Sequence, residues 1–220
     1  FLYCLDEREK VLDLIEMTCG GRLTVNYMRI GGVARDIPDD FAPICRRVLS
    51  RVPAVLDEVQ GMLTGNELFE ARTKGVGVIP PEMAKRYSLT GPCLRASGVP
   101  FDLRRAAPYS IYDRFDFDVI TRPEGDCYAR YLVRLEEARQ SIRIVEQALA
   151  QIPDGPFLTH LSEPIRFPPG EVYMASEGAK GELGYFLAIV HQHRRAERVD
   201  PRCKGGGRHR HPGQPGHRPG

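Results

Sequence analysis

The densest collection of chemically capable side chains lies between Leu89 and Tyr112. There Arg95, Asp102, Arg104 and Arg105 share the run LTGPCLRASGVPFDLRRAAPYSIY with Tyr109 and Tyr112. Guanidinium and carboxylate groups crowded in this way can do one of two things: recognise an anionic or planar polar ligand through forked hydrogen bonds, or neutralise one another inside the protein and brace it. Gly91-Pro92, Gly98, Pro100 and Pro108 break every apolar period. The stretch therefore reads as neither helix nor strand but as an ordered, polar-lined loop packed between helices. Its content of Leu94, Val99, Phe101, Leu103 and Ile111 argues against disorder.

Other chemistry-bearing groups carry less. Gly75-Val76-Gly77 lacks the third glycine of a dinucleotide loop and the Gly-Lys-Ser/Thr of a phosphate loop, so it reads as a structural turn. His191/His193 and His209/His211 could each chelate a metal, but no acid stands beside them to orient an imidazole, and no metal site is assigned. The cysteines, Cys4, Cys19, Cys45, Cys93, Cys127 and Cys203, are scattered singly, which encodes neither a zinc site nor a disulfide framework. No catalytic triad, metal-binding carboxylate pair or nucleophile elbow emerges.

The elements that must position these groups are largely helical. Residues 5–19 read as a helix stopped by Gly20-Gly21, and residues 22–33 as an extended segment that turns at Gly31-Gly32. Asp36, Pro38 and Asp39-Asp40 start a second helix whose stripe runs through Phe41, Ile44, Cys45, Val48, Val52, Val55, Val59 and Met62, with a kink expected at Pro53. Short helices are expected over 66–72 and 81–87. Phe115, Phe117 and Val119 alternate with polar residues as in a strand. The strongest helix follows, with Tyr128, Leu132, Leu135, Ile142, Val145, Leu149 and Ile152 on its apolar face and Arg130, Arg134, Glu136, Glu137, Arg139 and Arg143 on the other. Proline-interrupted loop then leads to a hairpin, 171–175 and 182–190, joined by a longer turn.

With 220 residues and 42% hydrophobic content, the chain can bury one sizeable core, and one domain with a tail is expected. The longest apolar run, Leu183 to Val190, is far short of the roughly 20 residues that span a bilayer. The opening FLYCLDEREKV has no basic, signal-like start and reads as cut from something longer. The net charge of +2 conceals an asymmetry, since residues 191–220 hold seven Arg and one Lys against Glu197 and Asp200. The body is thus acidic, and the basic His/Gly/Pro-rich tail is expected to be disordered.

Several stretches in the right order carry a resemblance: EREKVLDLIE (7–16), RLTVNYMRIGGVARDIP (22–38), GVGVIPPEMA (75–84), LTGPCLRASGVPFDLRRAAPYSIYDRFDFDV (89–119), GDCYARYLVRLEEARQSIRIVEQAL (125–149) and PPGEVYMASEGAKGELGYFL (168–187). Together they resemble the D, or 49 kDa, subunit of NADH:quinone oxidoreductase, respiratory complex I. The resemblance implies a mainly α fold with small β elements, its helical core resembling the nickel-iron hydrogenase large subunit and incomplete here. Residues 1–190 would form a partial domain of that kind. The implied role is in the peripheral arm on the cytoplasmic face of the membrane, attached through assembly. There the protein faces the neighbour that carries the terminal iron-sulfur cluster and helps form the quinone-reduction site, with electron flow from NADH coupled to proton translocation. Quinone is then the substrate, and this chain itself binds no cofactor.

By motif position, Thr24, Arg29, Gly31 and Gly32 are the residues expected to face quinone and cluster. Arg95, Asp102 and Arg104 are expected to brace the helices behind them. The family's quinone-headgroup histidine and tyrosine, with the histidine's aspartate partner, fall upstream of Phe1. Thr24 stands where many members have a histidine near the cluster, one thought to make its potential depend on pH. The segment between Pro156 and Pro168 is shorter than in the family, and the sequence after Leu187 diverges from it. Two other readings fit the residues less fully: the large subunit of a complex-I-related membrane-bound hydrogenase, which needs cysteine pairs for nickel and iron, and a purely structural helical adaptor.

Overall fold

A computed structural model describes residues 2–161 and 167–190. Among them are eight α-helices, one 3-10 turn and two separate two-stranded antiparallel sheets. The tail with its His-x-His pairs and Cys203 lies outside the described residues.

The first helix, α1 (Leu2–Cys19), ends where the Gly20 N–H bonds the Glu16 carbonyl and Gly20 takes a positive φ of 75°. A minimal hairpin follows, β1 (Met28–Arg29) paired with β2 (Gly32–Val33) across Ile30-Gly31. The expected long helix through Pro53 is two helices, α2 (Phe41–Leu49) and α3 (Val52–Leu63). Pro53 lies in the first turn of α3, where its missing N–H costs nothing, so the chain breaks at Ser50-Arg51 rather than bending a continuous helix. Short α4 (Glu67–Thr73) is capped by Asn66, whose side chain accepts the Phe69 N–H, and α5 (Pro81–Arg86) opens on its proline.

Two further helices, α6 (Gly91–Arg95) and α7 (Leu103–Ala106), correct the reading of 89–112 as pure loop. Thr90 precedes α6, whose Pro92 sits in its first turn, and Asp102 caps α7 by accepting the Arg104 N–H. The glycines and prolines that break the long period lie at the ends of these one-turn helices, where they start and stop them.

The spine is α8 (Cys127–Ala150), which at about 1.5 Å per residue runs some 36 Å. Its N-cap, Asp126, is buried: one oxygen accepts the Ala129 N–H at 2.7 Å, the other the Gly75 N–H at 2.8 Å. One carboxylate thus starts the helix and pins the loop after α4. Each core cluster among the described residues includes residues of α8. Leu149 packs with Leu14, Cys45, Val48 and Leu49; Ile144 with Phe115 and Phe117; Ala129 and Val133 with Ala96. The buried positions are therefore Ala129, Val133, Leu135, Ile144 and Leu149, and the expected apolar face is corrected, with Val145 and Ile152 exposed. Because α2, α3, α4 and α6 approach α8 from different sides, no single stripe describes it. Tyr128 and Tyr131 serve Phe69 of α4, whose ring lies 6.1 and 5.1 Å from theirs.

Residues 115–119 are extended but are not a strand, a second correction. Their backbone partners come from glutamines of α8. Gln147 accepts the Asp116 N–H at 2.8 Å and donates to its carbonyl at 2.7 Å, while Gln140 accepts the Asp118 N–H at 3.1 Å. Side-chain amides replace a neighbouring strand, and Phe115 and Phe117 turn inward between them.

The last elements, β3 (Gly170–Gly178) and β4 (Gly181–Ile189), form one hairpin. Its turn is only Ala179-Lys180, tighter than the longer turn expected, because pairing continues to Gly178 and Gly181.

Replacing Asp126 with Ala removes the cap and the Gly75 acceptor together. The loss expected is about 1–2 kcal/mol, with Asp126→Asn costing less because one amide oxygen survives. Denaturant unfolding of the full chain measures this, and an unchanged midpoint for Asp126→Ala would show that the two hydrogen bonds carry no weight.

Candidate functional site

Two groups of residues stand out in the sequence, and the fold places them in different settings. Arg95, Asp102 and Arg104 are brought together at one buried centre. Thr24, Arg29, Gly31 and Gly32 lie together on the surface around β1 and β2, all exposed. Among the described residues no hydrogen bond or ion pair joins the two groups.

At the buried centre Arg95 is only 2% exposed. Its Nε donates to Glu137 Oε1 of α8 at 2.5 Å. Its Nη1 donates to Glu177 Oε1 of β3 at 2.9 Å and to the Phe101 carbonyl at 3.0 Å, with Asp102 Oδ2 at 3.6 Å. Asp102, equally buried, takes Arg104 in a forked pair, Nε to Oδ1 at 3.0 Å and Nη2 to Oδ2 at 2.7 Å, besides capping α7. Arg104 also lies over the rings of Phe117 and Tyr112, at 4.8 and 5.9 Å. Arg105 covers Phe117 at 4.2 Å and donates to its carbonyl at 2.6 Å.

Burial works against each charge here, and the partners outweigh it. For Asp102, burial is the largest single effect and would raise the carboxyl, yet the hydrogen bonds and charge of Arg104, its N–H and the charge of Arg95 together hold it below the ordinary carboxylate range. Burial likewise opposes the guanidinium charges, but Glu137 and Glu177 raise Arg95, and Asp102 raises Arg104. Burial pushes the Tyr112 phenol up, with Tyr109 adding to the effect, so it stays protonated. The centre binds tightly to itself, with the carboxylates of Glu137, Glu177 and Asp102 gathered around two guanidiniums. This arrangement ties α6, α7, α8 and β3 into one body.

Glu137 and Glu177 complete that centre, and sequence reasoning misses both. By pattern Glu137 belongs to the solvated face of α8, but it follows buried Val133 by four residues, the spacing of one helix face. Glu177 reads as part of a turn, although the glycines beyond it, Gly178 and Gly181, leave room for a tight reversal that keeps it in the strand.

The surface group is built differently. The Gly31 carbonyl accepts the Thr159 N–H and the Phe157 carbonyl accepts the Val33 N–H, each at 3.0 Å, so residues 157–159 lie against β2 as a short third segment. Gly32, at φ 153°, has Phe157 so close that a Cβ would collide with its backbone, which explains glycine there. Arg29 reaches Asn26 and the Met28 carbonyl and, among the described residues, no carboxylate. Around it Leu23 and Met28 are 83% and 85% exposed, with Val25 and Ile30 also open. A cation in a segment with so many exposed apolar side chains makes a surface suited to burial against something else. Among the described residues no group of His, Cys, Asp and Glu could hold a metal ion.

The fold and this geometry define a class: a mainly helical body, internally braced by a buried ion cluster, with an exposed apolar and cationic edge. A family model described as the respiratory-chain NADH dehydrogenase 49 kDa subunit matches residues 1–163. The D subunit of NADH-quinone oxidoreductase from Clostridium beijerinckii is 52% identical over 187 residues, which cover 85% of this chain and 50% of that protein. The corresponding proteins of Desulforamulus reducens and Roseiflexus sp. are 46% and 45% identical, covering 85% and 84% of this chain and 51% and 52% of theirs. The chain belongs to the 49 kDa subunit family of respiratory-chain NADH dehydrogenase, and it spans about half the length of the curated relatives it matches.

Because Asp102 is depressed in the folded state, the stability it contributes is present above the ordinary carboxylate value of about 4 and is withdrawn as pH falls through the lower folded value. Asp102→Asn should therefore cost about 3 kcal/mol at neutral pH and flatten the acid limb of the stability profile. Arg95→Met should cost about 3–5 kcal/mol by stranding two acids, with Arg95→Lys in between because one ammonium cannot serve the same fork. Urea unfolding of the full chain from pH 7 to pH 3 tests both, and an acid limb as steep in Asp102→Asn as in the wild type would remove Asp102 from the account.

Proposed function

We propose that this chain acts within NADH:quinone oxidoreductase, where its edge around β1 and β2 helps wall the quinone-reduction site beside the terminal iron-sulfur cluster of a neighbouring protein. Electrons delivered from NADH would reduce quinone there, coupled to proton translocation. The observation that carries this reading is Arg29, exposed and, among the described residues, without a carboxylate partner, in the company of exposed Leu23, Val25, Met28 and Ile30 in a chain of this family. An apolar surface with such a cation can stack against an apolar ring or a neighbouring protein and still donate hydrogen bonds to a carbonyl oxygen.

In this reading Thr24, Arg29, Gly31 and Gly32 face cluster and quinone, with Gly31 and Gly32 letting residues 157–161 pack closely behind that edge. Arg95, Asp102 and Arg104 stand behind, fixing the helices. Residues 1–190 act as part of a domain akin to the nickel-iron hydrogenase large subunit, and 191–220 as an appended basic tail. The mainly helical body with small sheets is compatible with that kinship. The other peripheral-arm subunits hold the chain at the cytoplasmic face of the membrane. Attachment through partners suits a chain in which no described helix is long and apolar enough to cross a membrane.

Two substitutions in the assembled enzyme test the proposal. Arg29→Ala should lower quinone reduction about tenfold while NADH oxidation by an artificial acceptor, which bypasses the quinone site, stays intact. Equal quinone reduction in wild type and variant would withdraw Arg29 from the site. Thr24 cannot titrate near neutrality, so the potential of the neighbouring cluster should be nearly flat with pH. Thr24→His, with an imidazole pKa of about 6.5, should introduce a slope across the neutral range. A steep slope already present with Thr24 would count against its placement.

A further inference from the structure

We propose that the β3–β4 hairpin is a strap held shut by one ionic latch, the Glu177 carboxylate seated on Arg95, whose release uncovers the Arg95 guanidinium without unfolding the helical body. Among the described residues the hairpin's hydrogen bonds to the helical body gather at its tip. Glu177 accepts from Arg95 through Oε1 at 2.9 Å and from the Leu103 N–H through Oε2 at 3.4 Å, while its own N–H donates to the Tyr109 hydroxyl at 3.0 Å. On the other strand the Glu182 N–H donates to Thr90 Oγ1 at 2.9 Å. Gly91 and Gly181, at φ 64° and 132°, lie back to back, each too close to the neighbouring backbone or side chain to tolerate a Cβ. The tip is therefore a fitted joint.

Away from the tip the ribbon is open among the described residues. Val172, Tyr173, Met174, Leu183, Tyr185, Phe186 and Leu187 are all more than half exposed, on both faces of the hairpin. An isolated two-stranded ribbon is marginal in water, so its order depends on where it is anchored. Among the described residues none of the three core clusters contains a hairpin residue, so opening leaves those clusters intact and affects only the neighbourhood of buried Leu94 and Leu103 on α6 and α7, the helices the hairpin touches. It would cost chiefly the tip contacts. Of these contacts the ionic bond is the one Glu177 makes, and it sits on a guanidinium that burial makes intolerant of losing a partner.

Opening has a chemical consequence. Closed, Arg95 is covered, its Nε engaged by Glu137 and its Nη1 by Glu177 and the Phe101 carbonyl. With the strap lifted, Glu137 and Phe101 remain but Glu177 leaves, and Arg95 becomes a solvent-facing cation with a free donor for an anionic group. The hairpin is thus a cooperative opening unit of the kind drawn from the low-stability end of a protein.

Amide hydrogen exchange and arginine footprinting with phenylglyoxal, both on the full chain, test this. In Glu177→Gln, amides of Gly170–Gly178 and Gly181–Ile189 should exchange about tenfold faster and Arg95 labelling should rise by a similar factor, with α8 unchanged. Thr90→Val, which removes the other tip anchor but no charge, should give a clearly smaller effect on both readouts. Hairpin exchange unaltered in Glu177→Gln, equal acceleration throughout α8, or a Thr90→Val effect as large as that of Glu177→Gln would each overturn the proposal.

Discussion

Everything in this body leans on the burial of Arg95. A guanidinium taken out of water is tolerated only where its donors meet acceptors and its charge meets carboxylates. Arg95 finds them at great distance along the chain, in Glu137, 42 residues on, and Glu177, 82 residues on. A one-turn helix such as α6 has almost no stability of its own. It exists because its last residue is held by a long helix on one side and a hairpin on the other. The cation therefore dictates where three otherwise unrelated elements must stop relative to one another, and Asp102 with Arg104 extends that constraint to α7.

The second organising fact is that α8 does the work usually shared by a sheet and several helices. Its hydrophobic residues feed three clusters, its glutamines stand in for a β partner, and its charged residues reach outward to hold what surrounds it. Arg130 bonds the Gly125 and Gly77 carbonyls at 2.7 and 3.0 Å, and Arg139 bonds Asp57 and Gln60 of α3 at 2.6 and 2.9 Å. Polar residues on this helix are mostly connectors. Such exposed pairs add little energy singly. Their value is to fix register between α8 and loops that have few apolar contacts of their own.

That distinction explains what could be read from the residues and what could not. Helices with a cap, a proline start or a glycine stop, such as α1, α4 and α5, were legible, since their signals are local. The pairing of Asp102 with Arg104 was half legible: the residues lie two apart, but the sequence alone leaves Arg105 as an equal partner and does not show the burial. The split at Ser50-Arg51 was half legible too: Pro53 marked the place, but whether a proline kinks a helix or begins a new one depends on what packs beside it. Residues 115–119 alternate like a strand because one face is buried, and alternation cannot tell a backbone paired with a strand from one paired with glutamine side chains. Glu137 and Glu177 were missed because a buried acid is marked only by its partner, and the partner lay far away in sequence. The kinship itself was legible from six ordered stretches, and the family match over residues 1–163 bears it out.

The distribution of exposed apolar surface follows from the same logic. Its two contiguous sets on extended backbone are the segment from Leu23 to Ile30 and the shaft of the β3–β4 hairpin, while other exposed apolar residues, such as Leu2, Leu68 and Tyr87, are scattered. Scattered apolar exposure is ordinary, but two contiguous sets on extended ribbons are not. Each ribbon is fastened to the body by backbone and polar contacts at one end, the first through residues 157–159 and the second through Glu177 and Thr90, and each leaves its apolar side chains outward. Contiguous exposed apolar sets of this kind are suited to burial against another surface. A ribbon fixed at one end can still adjust at the other. The ion centre thus does more than stabilise: it holds one end of the longer ribbon to a rigid frame and leaves the rest free to take its shape from what it meets.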